Sequence, residues 1–129
     1  MAQIKQFTIA LENRPGAVAE IAKILGDAKV NILALLGSSQ GIAGIVQLVA
    51  EDARRAKKAL NGAGLTYAET TAEEYELPNR PAALAEYLAK LAAKGINLNS
   101  IYTTTPKDGK KAVVVYSVDA APAAAAATA

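Results

Sequence analysis

Asn13-Arg14-Pro15-Gly16-Ala17-Val18-Ala19-Glu20 returns later in the chain as Asn79-Arg80-Pro81-Ala82-Ala83-Leu84-Ala85-Glu86. The offset, 79 minus 13, is 66 residues. In the same register Leu25 meets Leu91, Val30 meets Ile96, Asn31 meets Asn97 and Ile32 meets Leu98, with no gap. A register held from a loop, through a helical pattern, into a β-rich segment marks an internal duplication. Such a repeat fixes the architecture before any local assignment is made.

Around this stretch each copy reads as strand, loop, helix, strand and strand. Residues 6–11 carry β-formers in partial alternation, and residues 74–77 alternate cleanly between polar and apolar. Arg-Pro follows, with proline favouring an extended residue before it and suiting a first helical position. Val18, Ile21, Ala22 and Leu25 fall at i, i+3, i+4 and i+7, one face of an amphipathic helix. Leu84, Tyr87, Leu88 and Leu91 repeat that face, and both stripes are expected in the core. Glu86 and Lys90, four apart, predict an ion pair on the outer side. Gly95 after Lys94 supplies a left-handed helix end, whereas Lys29 is not followed by glycine. Strands are expected over residues 31–36 and 97–103, hairpin turns over 37–41 and 106–109, and return strands over 42–49 and 112–118.

The first copy continues into an alanine-rich helix over residues 51–63. Arg54, Arg55, Lys57 and Lys58 form its solvated side, and Ala53, Ala56, Leu60 and Ala63 its inner side. Gly62 and Gly64 close it, and residues 65–69 read as a last strand. Strand, helix, strand, strand, helix, strand is the split βαβ or ferredoxin-like order, an α+β fold with helices on one face of an antiparallel sheet. The first module is expected over residues 1–70 and the second over 71–119, with only residues 70–73 between their strands. Residues 120–129 are nearly all alanine and read as an unstructured tail. The second module is thus incomplete and lacks a fourth strand, so one sheet edge needs cover.

Composition narrows the chemistry. Among 129 residues there is no His, no Cys and no Trp. Cys/His zinc sites, thiol redox chemistry, iron–sulfur clusters, disulfides and every His-based triad are therefore excluded. Lys+Arg number 14 and Asp+Glu 12, and a net charge of +2 makes no nucleic-acid footprint. RNA-binding members of this topology stack bases on strand aromatics, and Phe7-Thr8-Ile9 with Val46-Gln47-Leu48 offer one. Glu69, Glu73, Glu74 and Glu76 have no metal-ligand spacing and are expected at a solvent face. No catalytic residue and no metal site are predicted, since nothing assembles Arg, Lys, Glu and Tyr into a reactive group. The N-terminus lacks a signal peptide's apolar stretch, and residues 30–50 are too rich in Gly, Ser and Gln to span a membrane. A soluble, cytoplasmic protein is expected.

The strand, the Asn-Arg-Pro-Gly-Ala-Val loop, the amphipathic helix and the Val-Asn-Ile opening of the next strand resemble the ACT domain. The likeness covers about residues 5–69 and again 74–118, and the whole resembles stand-alone tandem ACT proteins. It implies a regulatory, non-enzymatic module that binds a free amino acid, needs no cofactor, forms a homodimer through sheet edges or helices, and acts on a separate metabolic enzyme. By the same resemblance the ligand sits at the loop of Asn13, Arg14, Pro15, Gly16, Ala17 and Val18. A second strand completes the site, through Asn97, Leu98 and Asn99 or through Asn31, Ile32 and Leu33.

The loop's own chemistry fits. A helix N-terminus offers unpaired N–H groups and a positive dipole end to a carboxylate. Gly16 lets a ligand approach the backbone, and Asn13 can meet an ammonium or a carboxylate. Position 82 is Ala, which moves the expectation to the first loop. Plain structural roles compete: Asn13 and Asn79 as caps or turn clamps, Arg14 and Arg80 as solvated side chains, Asn31 and Asn97 as strand openers. The rival reading for the whole chain is a dimerisation scaffold without ligand.

Overall fold

The structure, a computed structural model, describes residues 2–105 and 109–118. The turn expected at residues 106–109 is described only at Gly109, and the expected tail lies outside the described residues. The elements are β1 (Ala2–Glu12), α1 (Ala17–Asp27), β2 (Ile32–Gln40), β3 (Ala43–Ala50), α2 (Ala53–Gly62), β4 (Tyr67–Pro78), α3 (Ala83–Ala93), β5 (Leu98–Thr104) and β6 (Lys111–Val118). The chain divides into two compact units, Lys5–Thr71 and Met1–Ile4 with Ala72–Ala129, here called the first and second modules. The fold is α+β and consistent with tandem ferredoxin-like modules.

In the first module the strand order is β2-β3-β1-β4. Phe7 stands opposite Leu48 and Ile9 opposite Val46, so these four side chains share one face of the sheet. That face meets Ile21 and Leu25 of α1 and Ala56 and Leu60 of α2 in one core cluster. On α1 the buried residues are Ala17, Ile21 and Leu25, while Val18 is 39% exposed. The inner arc is thus rotated from the expected stripe of Val18, Ile21, Ala22 and Leu25. A 3.6-residue period fits either arc, and only contact with the sheet chooses between them.

Two strand assignments change. β2 runs on to Gln40, with Gly37, Ser38 and Ser39 opposite Val46, Ile45 and Gly44. The expected turn at residues 37–41 contracts to Gly41-Ile42, where Gly41 takes φ 63°. Ladder pairing outweighs the turn preference of Gly and Ser there. The expected break at residues 70–73 does not exist either: β4 is a single strand of 12 residues.

In the second module the order is β1-β4-β6-β5, and from β1 it takes the N-terminal residues up to Ile4. Gln3 Nε2 donates to Glu73 Oε1 at 3.5 Å. The edge that was expected to lack a fourth strand is covered by the start of the chain. Leu77, Leu91, Val114 and Tyr116 form the core. Tyr75 stacks on Tyr87 at 4.3 Å and 8°, and the hydroxyls of Tyr87 and Tyr116 lie 2.9 Å apart. Leu84, expected in the core stripe, is 36% exposed, and Ala83 is buried instead.

Candidate functional site

The loop after β1 is fastened to the β2–β3 hairpin by Asn13. Its backbone N–H donates to Ile42 O at 3.0 Å, and its Nδ2 donates to Gly41 O at 2.8 Å. Asn79 repeats this in the second module, with Nδ2 on Gly109 O at 2.8 Å and N–H on Lys110 O at 2.9 Å. Both asparagines are therefore turn clamps and not helix caps. The N-caps are Gly16 and Ala82, both left-handed and both without a side-chain cap bond.

Arg14 Nη2 donates to both oxygens of Glu20, at 3.0 and 2.9 Å, and its Nε lies 3.5 Å from Glu12. Hydrogen bonding and charge from Glu20 raise its pKa. Arg80 grips Glu86 with both terminal nitrogens, at 3.2 and 2.8 Å. That hydrogen bond holds the Glu86 carboxyl below the usual carboxylate range. The arginines are exposed but paired, and Glu86 turns to Arg80 where an ion pair with Lys90 was expected. A planar fork meets both carboxylate oxygens, which an ammonium cannot do as well.

These contacts set the entry to α1. Ala17 N donates to Arg14 O and Glu20 N to Gly16 O. The N–H groups of Val18 and Ala19 meet no backbone carbonyl among the described residues. They are orphan donors of a helix start. Beside Val18 opens a cleft of about 230 Å³. Asn13, Arg14, Ala17 and Val18 form one side. Gly37, Ser38 and Ser39 of β2 form another, closed by Leu11 and Glu12 of β1 and Gly44 and Ile45 of β3.

Of the expected site residues, Asn13, Arg14, Ala17 and Val18 meet at this cleft, and Pro15 and Gly16 complete its loop without lining it. Asn31, Ile32 and Leu33 lie at the other end of β2. Ile32 stands opposite Ala50, whereas Ser39 stands opposite Gly44. Six residues of strand from Ile32 to Ser38 span roughly 20 Å. Asn31 instead joins the strand ends, accepting from Glu51 N at 2.9 Å and donating to Glu51 Oε2 at 3.3 Å. Asn97, Leu98 and Asn99 lie at the start of β5 in the second module, where Leu98 packs against that module's core. Gly37, Ser38 and Ser39 were not foreseen as lining residues, because Gly-Ser-Ser reads as a turn.

Several other charges pair away from the cleft. Lys57 pairs with Glu69 at 3.2 Å and Glu76 with Lys111 at 3.2 Å. Asp52 caps α2 by accepting from Arg55 N at 3.0 Å. Among the described residues no group of His, Cys, Asp and Glu could hold a metal ion, and no helix is long and apolar enough to cross a membrane.

The sequence profile of a family described as "ACT domain pair" matches residues 2–127. The chain is similar to a crystallised protein from Bacteroides thetaiotaomicron, with 29% identity and a TM-score of 0.83 over 90% of this chain and 79% of that one. The ligand-free regulatory subunit of aspartate kinase from Thermus thermophilus shares the fold at 15% identity and a TM-score of 0.67, over 88% of this chain and 82% of its own. The corresponding subunit from Thermus flavus does so at 16% and 0.64, over 88% and 82%. No curated protein sequence matches this chain.

Proposed function

Because this chain belongs to the ACT domain pair family, we propose that it is a cytoplasmic regulatory protein that binds a free amino acid in the first-module cleft and conveys its level to a separate metabolic enzyme. The observation that carries this reading is the combination of groups at the cleft: the orphan N–H donor of Val18, the Asn13 amide, two serine hydroxyls and an aliphatic wall. The donor and the dipole end suit an α-carboxylate. Asn13 Oδ1 and the Ser38 and Ser39 hydroxyls can accept from an α-ammonium. The wall takes the side chain. The serine hydroxyls have no histidine to activate them, which supports binding rather than chemistry.

The Thermus thermophilus neighbour is a regulatory subunit. By that analogy the regulated enzyme here is a different chain. Binding acts by favouring one of two states of the protein, to the extent that the ligand prefers that state. The test is a thermal melt of the full chain with each of the twenty amino acids in turn. A ligand at ~100 times its dissociation constant stabilises by ~2.7 kcal/mol. No shift with any of them overturns the reading.

One observation favours the scaffold alternative. β2 is an edge strand of the first module and exposes Leu33, Leu35 and Leu36. An apolar edge invites pairing with a second copy. A stable homodimer that responds to no amino acid would select the scaffold.

A further inference from the structure

The two modules keep the same strand register, so residues around the first cleft can be matched pair by pair. Gly37 stands opposite Val46, and Thr103 opposite Val114. Gly44 stands opposite Leu11, and Ala112 opposite Leu77. The second hairpin is therefore two residues longer, the offset rising from 66 before it to 68 after it. Gly16, before α1, corresponds to Ala82. Two glycines thus line the first cleft and a third, Gly16, stands in its loop, and each counterpart carries a side chain.

Gly37 matters most. A Cβ there would lie 3.9 Å from a Val18 methyl and 4.0 Å from a Val46 methyl, in ordinary contact with both, so the space over Gly37 is bounded by aliphatic carbon. In the second module Thr103 fills this place, and its hydroxyl donates to Val113 O at 3.0 Å. The charges of the first cleft, Glu12 and Arg14, face one another, and the Arg14 fork is already taken by Glu20. An anionic ligand side chain would meet Glu12 and an arginine whose fork is taken, and a cationic one would have to compete with Arg14 for Glu12. Val18 and Ile45 meanwhile stand 39% and 46% exposed at the rim.

We infer that the first module alone takes the ligand, and that the ligand is an amino acid with a neutral, aliphatic side chain lodged in the gap left by Gly37. This rests on the reading of the cleft as an amino-acid site. Isothermal titration of the full chain with valine, leucine and isoleucine, against lysine, aspartate and phenylalanine, tests it. An aliphatic amino acid should bind at one site per chain, and the other three should bind more weakly by roughly tenfold or more. Gly37→Thr copies the second module with a strand-favouring residue, and it should remove binding while circular dichroism and the melt stay native. Thr103→Ala should leave binding unchanged. Two equivalent sites per chain, charged or aromatic ligands bound as tightly, or wild-type affinity in folded Gly37→Thr would each overturn the inference while leaving the broader function standing. Silence toward every amino acid would overturn both.

Discussion

Ala82 adopts φ 70° where its counterpart in the first module, Gly16, adopts φ 86°. At the far ends of the same two helices the residue types are exchanged: Lys29 takes φ 63° and Gly95 takes φ 75°. At the two ends of this helix each module therefore holds one glycine and one side-chain-bearing residue in the left-handed region. The backbone takes the same turn at both ends of this helix in the two modules.

A left-handed residue with a Cβ costs ~1–2 kcal/mol, and glycine's greater freedom when unfolded returns ~0.5–1 kcal/mol of that. Ala82→Gly and Lys29→Gly should each stabilise the protein by about 0.5–1 kcal/mol. Thermal or urea melts should show both midpoints rise. Gly16→Ala should lower them.

The clamps at Asn13 and Asn79 predict a matched pair of losses. Asn13→Ala removes the bond from Nδ2 to Gly41 O, and Asn79→Ala the bond to Gly109 O. Each should cost about 0.5–1.5 kcal/mol and speed amide exchange at its own hairpin. Asn13→Asp should not rescue, because an ionised carboxylate cannot donate to a carbonyl.

Arg80 holds the Glu86 carboxyl below its ordinary value, first through the hydrogen bond and then through charge. A carboxylate depressed in the folded state lends stability above its unfolded pKa, and that stability is lost as pH falls through the folded pKa. Arg80→Gln should raise Glu86 toward the ordinary range in a carboxyl NMR titration. It should also weaken the acid dependence of stability. Both groups are exposed, so the change in stability should be small.

At the alkaline end, burial pushes Tyr102 up to about 12. Burial and the hydrogen bond to Tyr116 raise Tyr87 as well. A tyrosine raised in the folded state lends stability that is complete below its unfolded pKa, near 10, and is lost as pH rises through the folded value. Stability should thus fall from about pH 10 toward 12. Five tyrosines and no tryptophan make ultraviolet difference absorbance a clean readout of tyrosinate. Tyr87 and Tyr102 should ionise late, and Tyr102→Phe should remove a late-ionising group.

The sequence by itself determined the duplication, the order of elements in each copy and the loop from Asn13 to Val18. These depend on residue types within a few positions of one another: proline before a helix, apolar residues every three or four, glycine where φ is positive. Gly95 was legible for that reason. Lys29 was not, because its left-handed turn is imposed on a residue that does not prefer it. The tertiary structure decided what local pattern leaves open. Ala17 and not Val18 faces the core because the sheet chose one of two equivalent helical arcs. Gly37, Ser38 and Ser39 are strand because their partners on β3 supply ladder bonds that the chain alone cannot anticipate. That pairing carries the unforeseen part of the cleft. Glu86 takes its hydrogen bonds from Arg80, with Lys90 acting on it only through charge, since the loop brings a two-pronged donor to it. The residues before Lys5 lie in the second module, with Gln3 meeting Glu73, because an unpaired strand edge accepts whichever segment the fold delivers.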